Sequence, residues 1–458
     1  MSFADLVLGH KSSSGKKKEQ LSVFTGVPVL GLDALSSIGY GPEAALAILT
    51  LAGSEGLRHF PTIVFAIVAE LALLSVSYRQ TIAAYPRGGG AYVVAKENIG
   101  MQAGLWAAAA LLFDYLLNVA VGISSGAGIV VSGVPALHSH KLAICLVVLA
   151  SLAYLNLRGV RQSGVVLAWP VVMFIAFMVV VIALGLVRLW SGVGHPVSVI
   201  APAPLPPSSI SNVTVWLLLA AFANGCTAMT GIEVVSNSVP LFRPPREPKG
   251  ERTLAILTLT LAACLLGIAY LCPAYRIGAM DEQQPTYKPV LSQLILAVLG
   301  KGIFSSFALV SIFIVLTYSA QSSFAGFPRV CRMLANDGFL PPIFTKPGRH
   351  LLPWQGIAVL AVLASVLLVA FGGQTRALIG LFAVGAFTAF VLDQFGMARY
   401  WLRRGERARG LFNSAAAAAT AIALCIIVVM KFGEGAWIAA VAIPTAGLLL
   451  TRLRRRYR

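Results

Sequence analysis

A chain of 458 residues that is 58% hydrophobic and only 11% charged, with a mean hydropathy of +0.83, does not belong to a soluble protein. Apolar runs of bilayer length recur from end to end, and a transmembrane helix needs only ~20 such residues. The net charge of +18 would suit a nucleic-acid partner, but the placement of the charge excludes that reading.

About twelve spans are predicted, at roughly 23–51, 61–84, 101–133, 141–157, 163–190, 213–240, 253–275, 289–325, 353–371, 375–398, 411–430 and 435–451. With a cytoplasmic amino terminus, 27 of the 35 Lys and Arg fall in the two tails and in the connections that follow even-numbered spans. That is the positive-inside pattern, so both termini are expected in the cytoplasm. The charge then reports orientation and contact with anionic lipid, not nucleic acid. Residues 1–20 are polar and basic and are expected to be an orientation signal, with no cleavable signal peptide. The six cysteines are scattered without metal-ligand spacing and read as small apolar packing residues.

The first span, VFTGVPVLGLDALSSIGYGPEAALAILTL, carries Asp33, Ser36, Ser37, Tyr40, Pro42 and Glu43 where hydrocarbon should surround it. Pro42 removes a backbone donor, and Gly31, Gly39 and Gly41 weaken the helix around it. Irregular backbone at membrane depth survives only against protein or a watery cavity, and a carboxylate there marks a functional site. A broken helix at a substrate site is therefore expected. The second span contains Glu70 and leads into PRGGGAYVVAKENIG, whose three glycines allow close backbone approach. No Walker pattern follows them, so a phosphate loop is set aside.

On the third span Asp114, Asn118 and Gly122 fall at i, i+4 and i+8 and share one helix face, with Tyr115, Ser125 and Gly126 nearby. A polar strip of this kind faces the bundle interior, as a site or as helix–helix glue. The fourth and fifth spans read as scaffold, and 191–212, rich in Pro and Ser, as an outer loop. The sixth span mirrors the first: FANGCTAMTGIEVVSNSVP is interrupted by glycine and carries Thr227, Thr230 and Glu233. Two interrupted helices five spans apart point to an inverted-repeat transporter with its site between them. Asp337-Gly338 marks a turn after the eighth span. The tenth carries Phe382, Thr388 and Asp393, the last expected to pair with Arg399 or to serve as an inner gate.

No Lys or Arg sits mid-span near the crossing of the first, third and sixth spans, so Asp33, Asp114 and Glu233 are expected to face each other without a counter-charge. Like charges in low dielectric cannot all stay ionised; some bind a proton or a cation. A proton-coupled cation carrier needs this combination, and Tyr40, Ser36, Thr227 and Thr230 add neutral oxygens. An amino-acid carboxylate would instead seek exposed backbone N–H groups, and Asp33 would repel it. An enzyme reading finds no nucleophile–base pair, and the six histidines lie in tails or loops.

GLDALSSIGYGPEA, YRQTIAAYPRGGGAYVVAKENIG, DYLLNVAVG, GCTAMTGIEVVSN and RMLANDGFLP resemble the amino acid–polyamine–organocation superfamily, and most of all its branch of proton-coupled potassium importers. The resemblance covers roughly residues 21–400. It implies an all-α integral membrane protein with a LeuT-like fold of about twelve helices, a 5+5 inverted repeat, and potassium/proton symport across a bacterial inner membrane. A basic tail (1–20), a ten-helix core (21–400, repeats about 21–190 and 213–400) and helices 11 and 12 with a short basic tail (401–458) follow. By motif position it places Asp33, Tyr40, Asp114, Tyr115, Asn118, Gly122, Thr230 and Phe382 at the ion pathway, with Asp33, Tyr40 and Thr230 on the cation and Glu233 or Asp114 on the proton. Asn118 stands where a threonine is expected, Gly122 where a serine is, and Phe382 where a tyrosine is. No cofactor is implied beyond the transported potassium ion and proton. A proton- or sodium-coupled amino acid or amine permease is the alternative. Longer members carry a cytosolic carboxy-terminal domain that senses cyclic di-AMP and mediates dimerisation; this sequence ends at RLRRRYR, so neither property is carried over and a homodimer stays open.

Overall fold

The structure, a computed structural model, describes residues 20–158, 164–192, 194, 196–210, 212–345 and 354–457. The basic tail expected over 1–20 and the inner connections holding Arg161, Lys346 and Arg349 lie almost wholly outside those residues. Ten helices among the described residues are long and apolar enough to cross a membrane. Two shorter apolar ones, Trp354–Ala370 and the last helix from Ala436, supply the remaining two of the twelve expected.

The first span is α1 (Val23–Leu49). Ser22 caps it: its Oγ accepts from Thr25 N at 3.2 Å while Thr25 Oγ1 accepts from Ser22 N at 2.9 Å. A short α2 (Gly53–Arg58) leads to the second span, α3 (Phe60–Ala84), which Pro61 opens at a position where its missing N–H is harmless. After the triple glycine comes α4 (Ala91–Asn98), then the third to fifth spans, α5 (Met101–Gly133), α6 (Lys141–Leu157) and α7 (Gly164–Ser191). The sixth span divides into α8 (Val215–Gly225), a 3-10 turn at Cys226–Met229, and α9 (Glu233–Asn237). The seventh is α10 (Arg246–Ala274).

Residues 289–325, expected as one span, fall in two elements. α11 (Val290–Leu299) is a separate short helix, and the eighth span is α12 (Ile303–Tyr318) continuing into α13 (Ala320–Asn336). The physical reason lies in LGKG: Gly300 adopts φ +76°, which ends α11, and Gly302 starts the next helix with Ser305 Oγ accepting from its N–H at 3.0 Å. α14 (Trp354–Ala370), α15 (Thr375–Arg403), α16 (Arg407–Met430) and α17 (Ala436–Tyr457) complete the chain.

The packing follows an exchange of spans 1–5 with 6–10. α1 packs on α8, α3 on α10, α5 on α12 and α13, and α6 on α14, each span against its own counterpart. The third span also packs on the tenth (α5 on α15), and its counterpart pair, eighth on fifth (α12 on α7), does the same. Five crossings per half, an odd number, set the two halves in opposite orientation across the bilayer. Residues 196–210, expected as an outer loop, are held at both ends: Val199 N donates to Ala297 O at 2.8 Å and Ser209 N to Leu51 O at 2.9 Å.

Candidate functional site

Asp33 sits on α1 and is 3% exposed. The break expected in this span is not there, since α1 runs as one helix through Pro28 and Pro42. Its serines turn back on it instead. Ser36 Oγ donates to Asp33 O at 2.7 Å, and Ser37 Oγ lies 2.6 Å from Ala34 O and 2.7 Å from Ala228 O, within reach of either. The second contact ties α1 to the interrupted sixth span.

That interruption is where the sequence put it. The helical path of α8 stops after Gly225, and Thr230 is extended, with φ −70° and ψ 153°. Gly231 then takes φ +90°. A Cβ on Gly231 would lie 2.5 Å from Ala34 N and 2.8 Å from Asp33 Cβ, so this backbone rests directly on α1 at Asp33. Gly41 makes the matching approach from α1, where a Cβ would lie 2.5 Å from Ala228 Cβ. Glycine at both contacts lets the two spans cross with their polar residues inward.

Around the crossing, Tyr40 OH and Thr230 Oγ1 are 3.2 Å apart, both residues 1% exposed. The Tyr40 ring lies against Phe382 of α15, centroids 6.1 Å apart. Ser322 Oγ of α13 is 2.7 Å from Asp33 Oδ2 and 2.8 Å from Ser319 O. Asn118 Nδ2 donates to Ser323 Oγ at 3.0 Å and reaches Ser322 Oγ at 3.4 Å. Oxygens are left over: Asp33 Oδ1, Asn118 Oδ1 and Asp114 Oδ1 are buried and accept no hydrogen bond. Neither carboxylate oxygen of Glu233 meets a side-chain donor, although the residue is 3% exposed.

Asp33, Asp114 and Glu233 feel one another's charge. The four ion pairs of the described residues, Arg58–Glu55, Arg79–Glu251, Lys96–Asp337 and Lys141–Glu282, include none of them. They do not close on a single point, however: among the described residues no three His, Cys, Asp or Glu could hold one ion together. Asp33 stands with the hydroxyls of Ser322, Tyr40 and Thr230, while Asp114 and Glu233 stand without such company.

Tyr115 is buried near Glu233 and Arg329, its OH 3.5 Å from Asn237 Nδ2. Gly122 is a packing residue. A Cβ there would lie 2.4 Å from Ser319 Oγ and 2.7 Å from Leu316 O, so Ser319 fills the space that a side chain at 122 would take, its own hydroxyl donating to Leu316 O at 2.7 Å. Asp393 does not pair with Arg399. Six residues separate them on α15, which puts them on different faces, and Asp393 Oδ2 instead accepts from Thr81 Oγ1 at 3.2 Å. Sequence reasoning missed Ser319, Ser322 and Ser323, because YSAQSSFAG carries no acid or proline to single it out.

Two latches tie the bundle near its ends. At one, Val94, Met397 and Trp401 form an apolar plug, and Lys96 Nζ and Tyr92 OH both bind Asp337, the lysine at 2.6 Å. At the other, Tyr287 OH donates to Glu43 Oε1 at 2.8 Å, and Glu282 accepts from Lys141 Nζ at 2.9 Å and from the first N–H groups of α15 at 2.9 and 3.0 Å.

The amino acid permease family matches this chain over residues 32–451. The potassium transporter KimA of Bacillus subtilis (strain 168) is 36% identical over 452 residues, 97% of this chain and 72% of that protein. The low-affinity putrescine importer PlaP of Escherichia coli (strain K12) is 24% identical over 357 residues, 75% of this chain and 74% of that protein. A solved manganese transporter of Eremococcus coleocola aligns over both whole chains at 14% identity with a TM-score of 0.49. A multi-pass helical bundle, an interrupted span crossing an acid-bearing one, and a family match over nearly all of its length establish that this chain belongs to the amino acid permease family of the amino acid–polyamine–organocation superfamily.

Proposed function

We propose that this permease imports potassium together with protons across a bacterial inner membrane, both termini facing the cytoplasm. The observation that carries the reading is a set of buried carboxylates, Asp33, Asp114 and Glu233, that no Lys or Arg among the described residues neutralises. Such groups in low dielectric are neutralised by a proton or by a bound cation. Hard alkali cations take oxygen ligands. Asp33 Oδ1, Tyr40 OH, Thr230 Oγ1 and Asn118 Oδ1 supply them, and Ser322 stands in for a hydroxyl the third span lacks. Glu233 and Asp114, poor in donors, are the proton carriers. Identity to KimA over nearly the whole chain supports potassium over other cations. The ten-helix core, with helices 11 and 12 outside it, is the transport unit.

Purified protein in potassium-poor proteoliposomes should accumulate potassium when the outside is acidified, and a protonophore should abolish the accumulation. Glu233→Gln should exchange potassium across the membrane but not concentrate it. Concentration by that variant at the wild-type level removes Glu233 from coupling. Similarity to PlaP supports one second reading, a protonated amine held by the same acids. Putrescine counterflow with no response to potassium would select it.

A further inference from the structure

Asp393 and Glu70 are the buried acids that the cation and proton sites leave unused, and Asp393 is the one on the helix that also carries Phe382. It is 0% exposed, its Oδ2 accepts from Thr81 Oγ1 at 3.2 Å, and its Oδ1 accepts nothing. Eleven residues, three helical turns, separate it from Phe382, so both share one face of α15. Phe382 lies against Tyr40 at the site, and Met397 and Trp401, one and two turns beyond Asp393 on that face, belong to the apolar plug. Asp393 therefore stands between the site and the plug.

The step between needs a relay. Gly385 packs on Asp114, where a Cβ would lie 3.3 Å from Asp114 N, and Asp393 is eight residues, or ~12 Å, further along. Tyr78 of α3 lies alongside the interval. Its ring packs edge-on against Phe390 at 6.0 Å, and it interacts electrostatically with Asp393, Glu233 and Asp114. Other charged groups on the flanking helices are engaged elsewhere: Glu70 with Thr420, Lys96 with Asp337, and Arg409 over Trp401.

We propose that Asp393 is a proton-carrying residue on the exit side of the site, receiving the proton from Asp114 or Glu233 and releasing it to the cytoplasm when the Val94–Met397–Trp401 plug parts. The O–H bond at the first carboxyl breaks as its proton passes into a chain of water molecules alongside Tyr78, and an O–H bond forms at Asp393 Oδ1 from the last water of that chain, so charge is conserved within the groove. The inference rests on the proton-coupled reading above, which did not use Asp393.

Its test compares wild type and Asp393→Asn in proteoliposomes by two readouts. Rubidium or potassium exchange at equal pH moves no net proton and should stay within about twofold of wild type. Net accumulation driven by an acid-outside jump should fall tenfold or more, and Asp393→Glu should restore it. Wild-type accumulation by Asp393→Asn overturns the proposal, as does parallel loss of both readouts. Should Asp393→Asn fail to fold, Thr81→Val decides: a displaced pH profile of net uptake with intact exchange supports the relay, and an unchanged profile overturns it. Wild-type vesicles that exchange no potassium overturn the potassium reading instead, and the same two readouts with putrescine then decide for Asp393.

Discussion

Gly231 holds the crossing together because two constraints meet in it. Its φ of +90° suits only glycine, and the place of a Cβ is taken by the backbone of Ala34 and the Cβ of Asp33. Gly231→Ala should destabilise the protein by ~1–3 kcal/mol and abolish uptake, read as a lowered Tm in detergent with loss of flux. Ser322 has a subtler part, as the side chain that donates to Asp33 Oδ2. A hydrogen bond to a charged group contributes about 1.5–3 kcal/mol to stability, so Ser322→Ala should lower Tm and, by leaving Asp33 Oδ2 without its donor, raise the KM for potassium. Gly122→Ser gives the opposite test. Its new side chain would meet Ser319 Oγ and Leu316 O, so it should destabilise the bundle and leave potassium affinity no better. An unaltered Tm with tighter potassium binding would show that 122 is a ligand position after all.

At the scale of elements, the polar residues of the first, third and sixth spans were legible because acids and glycines inside apolar runs are costly and therefore placed for a reason. Of the strip at Asp114, Asn118 and Gly122, the last two meet the eighth span, while Asp114 lies where Gly385 of the tenth packs on the third. The break was legible in the sixth span and misread in the first. Proline and glycine weaken both, but α1 absorbs Pro28 and Pro42 within one continuous helix, whereas Gly231 adopts a left-handed turn that no helix can absorb. Loop 275–290 was not legible at all, because its acids look solvated in sequence. In the structure Glu282 fastens Lys141 to the start of α15, the two side chains only 11% and 9% exposed. Removing one member of a buried pair strands the other, at ~3–5 kcal/mol. Glu282→Ala should lower Tm clearly more than Glu55→Ala, whose partner Arg58 is solvent-exposed. Equal shifts would mean that this latch contributes nothing.

For the whole molecule, hydropathy and the one-sided placement of Lys and Arg foretold the bundle, since both follow from the bilayer rather than from any packing detail. The latch at each end could not be foretold, because it joins residues hundreds of positions apart. The end proposed to face the cytoplasm is instructive: Val94, Met397 and Trp401 cluster where α15 runs on from Asp393 toward Arg399, Arg403 and Arg404. A carrier whose acids exchange protons must keep water from reaching them from both sides at once, and at this end three apolar side chains provide the barrier. Met397→Ser puts a hydroxyl in the middle of that barrier, one turn from Asp393, and lets water approach the carboxylate. Liposomes loaded with a pH-sensitive dye should then acidify after an external acid jump even without potassium, at a rate several-fold above wild type, while potassium accumulated per proton falls. If Met397→Ser vesicles stay as tight to protons as wild type, the inner seal lies elsewhere and the plug is only packing.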